Sequence, residues 1–139
     1  DPAFSWQNSE VAKAKAKLAR RHEAQTPDKV LAELTFGFWL SLFNTQLQTP
    51  LWKDLRLVFA RCPKPKRKRH NISVALNQIR DLRNRVFHHE PLLWLKPTLL
   101  EQHAIGVTVV NWIDPQLGNW LGNHDRLPTT WADYNRGRS

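Results

Sequence analysis

"NISVALNQIRDLRNRVFHHEP", residues 71–91, decides the fold. Ile72, Ala75, Leu76, Ile79, Leu82 and Val86 recur every three or four residues, the period of an amphipathic helix. Asn71 is expected to cap its start. Pro91 disfavours helix at Glu90, so the helix ends about there. Arg83, Asn84, Arg85, His88 and His89 therefore crowd its last turns. Outward from this segment the same period recurs. Asn8 or Ser9 can cap a helix through "EVAKAKAKLARRHEA", and Thr26-Pro27 starts one through "DKVLAELTFGFWLSLF". The latter is expected to be the central core helix, with Val30, Leu31, Leu34, Phe38 and Leu42 inward and Gly37 allowing close packing. Thr49-Pro50 opens "LWKDLRLVFA", with Leu51, Leu55, Val58 and Phe59 inward; Thr98 opens "LLEQHAIGVTVVNWI"; Asp114-Pro115 opens a short helix through Leu121. No strand alternation or internal repeat occurs. The expected fold is an all-α helical bundle of four to six helices, one domain over 1–121, with a polar, loosely ordered tail over 122–139.

Between the third and fourth helices lies "RCPKPKRKRH", residues 61–70, with two prolines and six Lys or Arg in ten positions. Such a segment is an exposed loop. Lys64, Lys66, Arg67, Lys68 and Arg69 could bind phosphates without sequence choice, or simply be a solvated surface. The whole chain of 139 residues carries 21 Lys and Arg against 12 Asp and Glu, a formal charge of +9, which points to a polyanionic partner. A single cysteine, Cys62, leaves no disulfide framework or thiolate metal site and fits a reducing cytosol. No apolar run approaches a membrane span. Seven Trp are present. Trp39, Trp52, Trp94, Trp112 and Trp120 fall on or near apolar stripes and are expected mostly in the core, whereas Trp6 and Trp131 are the better surface candidates.

Several chemistries lack their residues. There is no phosphate-binding glycine loop, no nucleophile elbow, no zinc-helix histidine pair and no carboxylate cluster for two-metal chemistry. No cofactor or metal is expected, and what remains must use Arg, Asn and His. Asn84 and His88 stand at i and i+4, on one face. Arg83 and His88 stand roughly 140° apart round the axis, so one helix does not easily aim both at one atom. Two copies of the helix about a twofold axis would solve this by bringing both Arg-His sets into one cleft. His88 could then move the proton of a ribose 2′-OH, Arg83 could stabilise the phosphoryl charge, and Asn84 could orient the imidazole or touch the ribose. Alternatively, His88 is a helix C-terminal histidine favoured by the macrodipole.

"LRNRVFHHEP", residues 82–91, closely resembles the Arg-Asn-x-x-x-His-His-Glu-Pro signature of Abi-like (abortive-infection) proteins in the HEPN superfamily. "ELTFGFWLSLF", residues 33–43, resembles the Glu-Leu-[Thr/Ser]-Phe-Gly-x-Trp segment of the same family, and the basic linker and "LWKDLRLVFA" follow in matching order. The likeness is strongest over 27–95 and weaker to 121. It implies a dimeric α-helical fold and a metal-independent endoribonuclease of the bacterial cytoplasm, used in phage defence or as a toxin. It also implies Arg83 and His88 as the catalytic pair, Asn84 as the accompanying polar residue, and His89 and Glu90 in support. Relatives usually carry a further N-terminal helical segment with no counterpart before Thr26, so this chain is expected to be the C-terminal part of a longer protein or an unusually short member.

Three readings stay open. The first is a homodimeric RNase, joined through the helix bearing Arg83 and His88, that leaves 2′,3′-cyclic phosphate and 5′-OH ends. The second is a non-catalytic RNA-binding or helical interaction module that uses Lys64 to Arg69 and Arg85. The third is the toxin half of a toxin–antitoxin pair with a protein antitoxin.

Overall fold

A computed structural model describes residues 2–137. These residues form an all-α structure: α1 (Ser5–Arg20), α2 (Pro27–Glu33), α3 (Phe36–Ser41), α4 (Gln48–Leu55), α5 (Arg69–Phe87), α6 (Leu99–Ile113), α7 (Pro115–His124) and α8 (Leu127–Arg136), with 3-10 turns at Pro2–Phe4 and Thr45–Leu47. The chain divides into two compact units, Asp1–Lys53 and Asp54–Ser139.

In the first unit α1 packs on α2 and α3. Ala14, Leu18 and Val30 are its buried centre, with Val11 and Leu34 packed against them. Glu33 ties α2 to α1 through Lys17, 2.7 Å away, and through Arg21. Hydrogen bonds from Lys17 and Arg21 hold its carboxyl below the ordinary range.

The single core helix expected over 28–43 is instead two helices. Leu34 is extended, and Thr35 caps α3 by accepting a hydrogen bond from the Phe38 N–H at 3.2 Å. A hydroxyl that satisfies a free helix N–H stabilises a new start and so favours the break. The apolar stripe rotates across it: Val30 and Phe38 are buried while Leu31 is exposed. A Cβ on Gly37 would meet only Thr35 Oγ1, at 3.6 Å, so Gly37 is not the close-packing position the sequence implied.

In the second unit α6 is the hub, contacted by α5, α7 and α8. A capping box at Thr98 and Glu101 starts it, and those bonds lower the Glu101 carboxyl pKa. Phe59, Cys62, Ile72, Ala75, Leu76, Leu99 and Val109 are buried. Val58, expected inward, is exposed because α4 stops at Leu55 and turns replace its continuation. His103 Nε2 meets Asp125 Oδ2 at 2.9 Å, and Asp125 Oδ1 accepts from the Leu127 N–H at 3.0 Å, which fixes the corner between α7 and α8 against α6. The polar stretch from Gly122 is helical through His124 and again in α8, which carries Pro128 in its first turn. Residues 138 and 139 of that stretch lie outside the described residues.

None of the seven Trp is buried; Trp6, Trp39, Trp94 and Trp120 are exposed and Trp52, Trp112 and Trp131 half-buried. Two small units of short helices enclose too little volume to cover an indole fully. The expected Trp-rich core is therefore replaced by one of Leu, Val, Ile and Phe.

Candidate functional site

Helix α5 ends in a hydrogen-bonded stop. Glu90 N–H donates to Arg85 O at 2.9 Å, and His89 N–H donates to Val86 O at 3.2 Å. His89 sits in the left-handed region with φ 56°. This is the Schellman geometry that usually places glycine where His89 stands. The flanking side chains close the same turn, Arg85 Nη1 lying 3.2 Å from Glu90 Oε2. Helix α1 ends in the same way: His22 has φ 57°, and Glu23 N–H and His22 N–H donate to Leu18 O and Ala19 O, each at 3.0 Å. "His-Glu" in this chain is thus a helix stop used twice, and His89 and Glu90, expected in support of a site, are the residues that terminate α5. A non-glycine residue held at φ near 57° carries strain that glycine lacks. His89→Gly should raise the unfolding free energy by about 1 kcal/mol, visible as an upward shift in Tm. His89→Val, β-branched at the same φ, should lower Tm.

That stop presents His88 on the surface at the C-cap position. Its ring meets Phe87 edge to face, with centroids 5.6 Å apart. The Arg83 guanidinium lies over the same Phe87 ring at 5.4 Å. Arg83 and His88, too far apart round the axis for direct contact, are therefore grouped about one exposed aromatic side chain. Phe87 was not among the residues the motif singled out; its position four residues after Arg83 was the available signal. Asn84 is half-buried and turned toward arginine rather than imidazole, its Oδ1 accepting from Arg83 Nη1 at 3.1 Å. Nearby carboxylates are engaged elsewhere, Glu90 with Arg85 and Asp81 with Arg80 at 2.8 Å. Among the described residues no carboxylate pairs with Arg83 or His88. Four of the other five histidines have evident structural settings: His22 and His89 in helix stops, His103 on Asp125, and His124, whose Nδ1 lies 2.8 Å from Trp120 O; His70 is exposed in the first turn of α5.

The basic loop is compact. Lys66 and Arg67 N–H groups donate to Pro63 O at 2.9 and 3.0 Å, and Arg61 N–H donates to Trp112 O at the end of α6. Asn71 does not cap α5, which begins at Arg69 after Lys68; its Nδ2 donates back to Lys66 O at 3.0 Å and braces the loop. Lys64, Lys66 and Lys68 are exposed, Arg67 and Arg69 half-buried. Loop and Arg83–His88 cluster occupy opposite ends of the 19-residue α5, about 28 Å apart at 1.5 Å per residue. They cannot touch one phosphate, but one strand of roughly eight nucleotides, at ~3.4 Å each, could reach both.

Cys62 is buried beside this loop, and desolvation raises its thiol pKa, which suits a packing residue rather than a nucleophile. Among the described residues no group of three or more His, Cys, Asp or Glu side chains is placed to hold a metal ion, and no helix is long and apolar enough to cross a membrane. No family model, curated protein or solved structure matches the chain.

Proposed function

We propose that the end of α5 is half of an endoribonuclease site, completed when two copies of this chain pair through that helix. The observation that carries this reading is the grouping of Arg83 and His88 about Phe87, with no carboxylate among the described residues paired to either. An imidazole, ordinarily titrating near pH 6.5, can accept the 2′-OH proton near neutrality. The 2′-oxygen then forms a bond to phosphorus, the bond from phosphorus to the 5′-oxygen breaks, and an imidazolium across the cleft returns a proton to the leaving oxygen. Arg83 stabilises the added phosphoryl charge with two parallel N–H donors. A metal-independent RNase of this kind fits the abortive-infection resemblance, as a toxin acting in phage defence and restrained by an antitoxin. The test is RNA cleavage by the purified chain in EDTA. Products with 2′,3′-cyclic phosphate and 5′-OH ends support the assignment, as does intact DNA, which lacks the attacking hydroxyl. Intact RNA refutes it.

The basic loop supports a second reading, an RNA-binding module without catalysis. Replacing Lys64, Lys66 and Lys68 by Ala should weaken binding of RNA of a dozen or more nucleotides and flatten the plot of log K against log salt by about 2, at ~0.7 per lost single-strand phosphate contact. Under the nuclease reading, cleavage of a dinucleotide substrate stays unchanged in this variant, because the substrate is too short to reach the loop. If binding depends on the loop and no RNA is ever cut, the module reading is the correct one.

A further inference from the structure

We infer that Phe87 is a nucleobase platform that sets where the strand lies between Arg83 and His88; this rests on the nucleic-acid reading of the α5 end given above. Phe87 is 68% exposed, so its ring is open to a ligand. It sits one residue before the C-cap, so the helix stop at His89 fixes its backbone. Its surroundings select the occupant. Arg83 covers one face at 5.4 Å and His88 meets the ring edge to face, which leaves an open aromatic surface flanked by two nitrogen-rich side chains. An apolar protein partner would have to bury the Arg83 guanidinium without a counter-charge, which is costly. A nucleotide brings both complements at once: a flat base for the ring and a phosphate for the guanidinium. The carboxylates that would repel a phosphate are occupied, Glu90 by Arg85 and Asp81 by Arg80. Stacking on a phenyl ring tolerates every base, with purines favoured by their larger π surface. Phe87 is thus assigned as the residue that determines position and base preference, while proton transfer stays with His88.

The experiment measures binding of short single-stranded RNA by fluorescence anisotropy in His88→Ala protein, where no cleavage intervenes, and kcat, KM and cut-site preference in otherwise wild-type protein. Phe87→Ala, Phe87→Leu and Phe87→Tyr are compared in each, with mass by light scattering. Phe87→Ala and Phe87→Leu should each weaken binding about tenfold or more, raise KM more than they lower kcat, and erase any purine preference. Phe87→Tyr should restore all three, because it restores the π face and Leu restores only apolar bulk. Cleavage by wild type with unchanged KM and preference in Phe87→Ala overturns the platform and leaves the nuclease reading standing. Absence of cleavage together with tenfold weaker binding in Phe87→Ala sinks the nuclease and keeps the platform. Weaker binding accompanied by a shift from dimer to monomer reassigns the ring to the contact between copies and overturns the inference.

Discussion

His88→Ala should lower the rate of RNA cleavage in EDTA by about a thousandfold, the middle of the range for removing a general acid–base group. The side chain is exposed and its ring has Phe87 as its neighbour, so its loss leaves the fold intact, and Tm should move by no more than a degree or two. Arg83→Ala should cost on the order of a hundredfold, the loss of one preorganised donor to the developing charge. Arg83→Lys should recover little of this, because a point charge replaces a fork that binds two phosphoryl oxygens at once. Asn84→Ala should cost less than either, since the amide acts through the Arg83 side chain it holds at 3.1 Å. A cleft shared by two copies, as proposed, carries a sharper expectation. Mixing wild-type chains with an excess of chains carrying both Arg83→Ala and His88→Ala should suppress cleavage below the wild-type share, because a mixed pair keeps one of the two imidazoles that accept and return the proton. Cleavage in proportion to the wild-type chains present would place the reaction within one chain and remove the reason for the twofold arrangement.

The readable part of this chain was its dominant helix. Helix α5 is long, regularly apolar every three to four residues, and followed by proline, so periodicity and one steric rule located it to within about three residues at each end, the expected Asn71 and Glu90 standing against Arg69 and Phe87. Its end showed Arg83, Asn84 and His88 as neighbours in sequence, but not how they meet. That depended on the Phe87 ring and on a left-handed His89, neither of which periodicity registers. The break at Leu34–Thr35 was illegible for a related reason. The apolar spacing from Val30 to Phe38 fits one helix as well as two, and the choice falls to a single hydroxyl that caps Phe38. Tryptophan misled more broadly, because hydrophobicity says which side chains prefer burial and not whether a small unit has room for them.

Gly118 carries the largest stability effect expected of a single methyl group in this chain. It is buried in α7, where α7 packs on α6, and a Cβ built there would lie 2.0 Å from Oδ1 and 2.7 Å from Cγ of Asn111. Asn111 is a short side chain anchored by its own bond, Nδ2 donating to Val107 O at 2.9 Å one turn earlier in α6. To admit the methyl group it must rotate away and give up that bond, or the helices must separate. Helix propensity alone would make Gly118→Ala stabilising by about 1 kcal/mol; overpacking costs about 1–3 kcal/mol and should win. The expected result is a clear fall in Tm and in the urea midpoint, with unchanged m-value. Asn111→Ala makes the space that Gly118→Ala needs, so the double variant should be more stable than Gly118→Ala alone, with a coupling energy on the order of 1–2 kcal/mol in a double-mutant cycle. Additive single effects would mean that α6 and α7 yield to the methyl group by moving apart, and that the close approach at Gly118 is not what holds α7 to the hub helix.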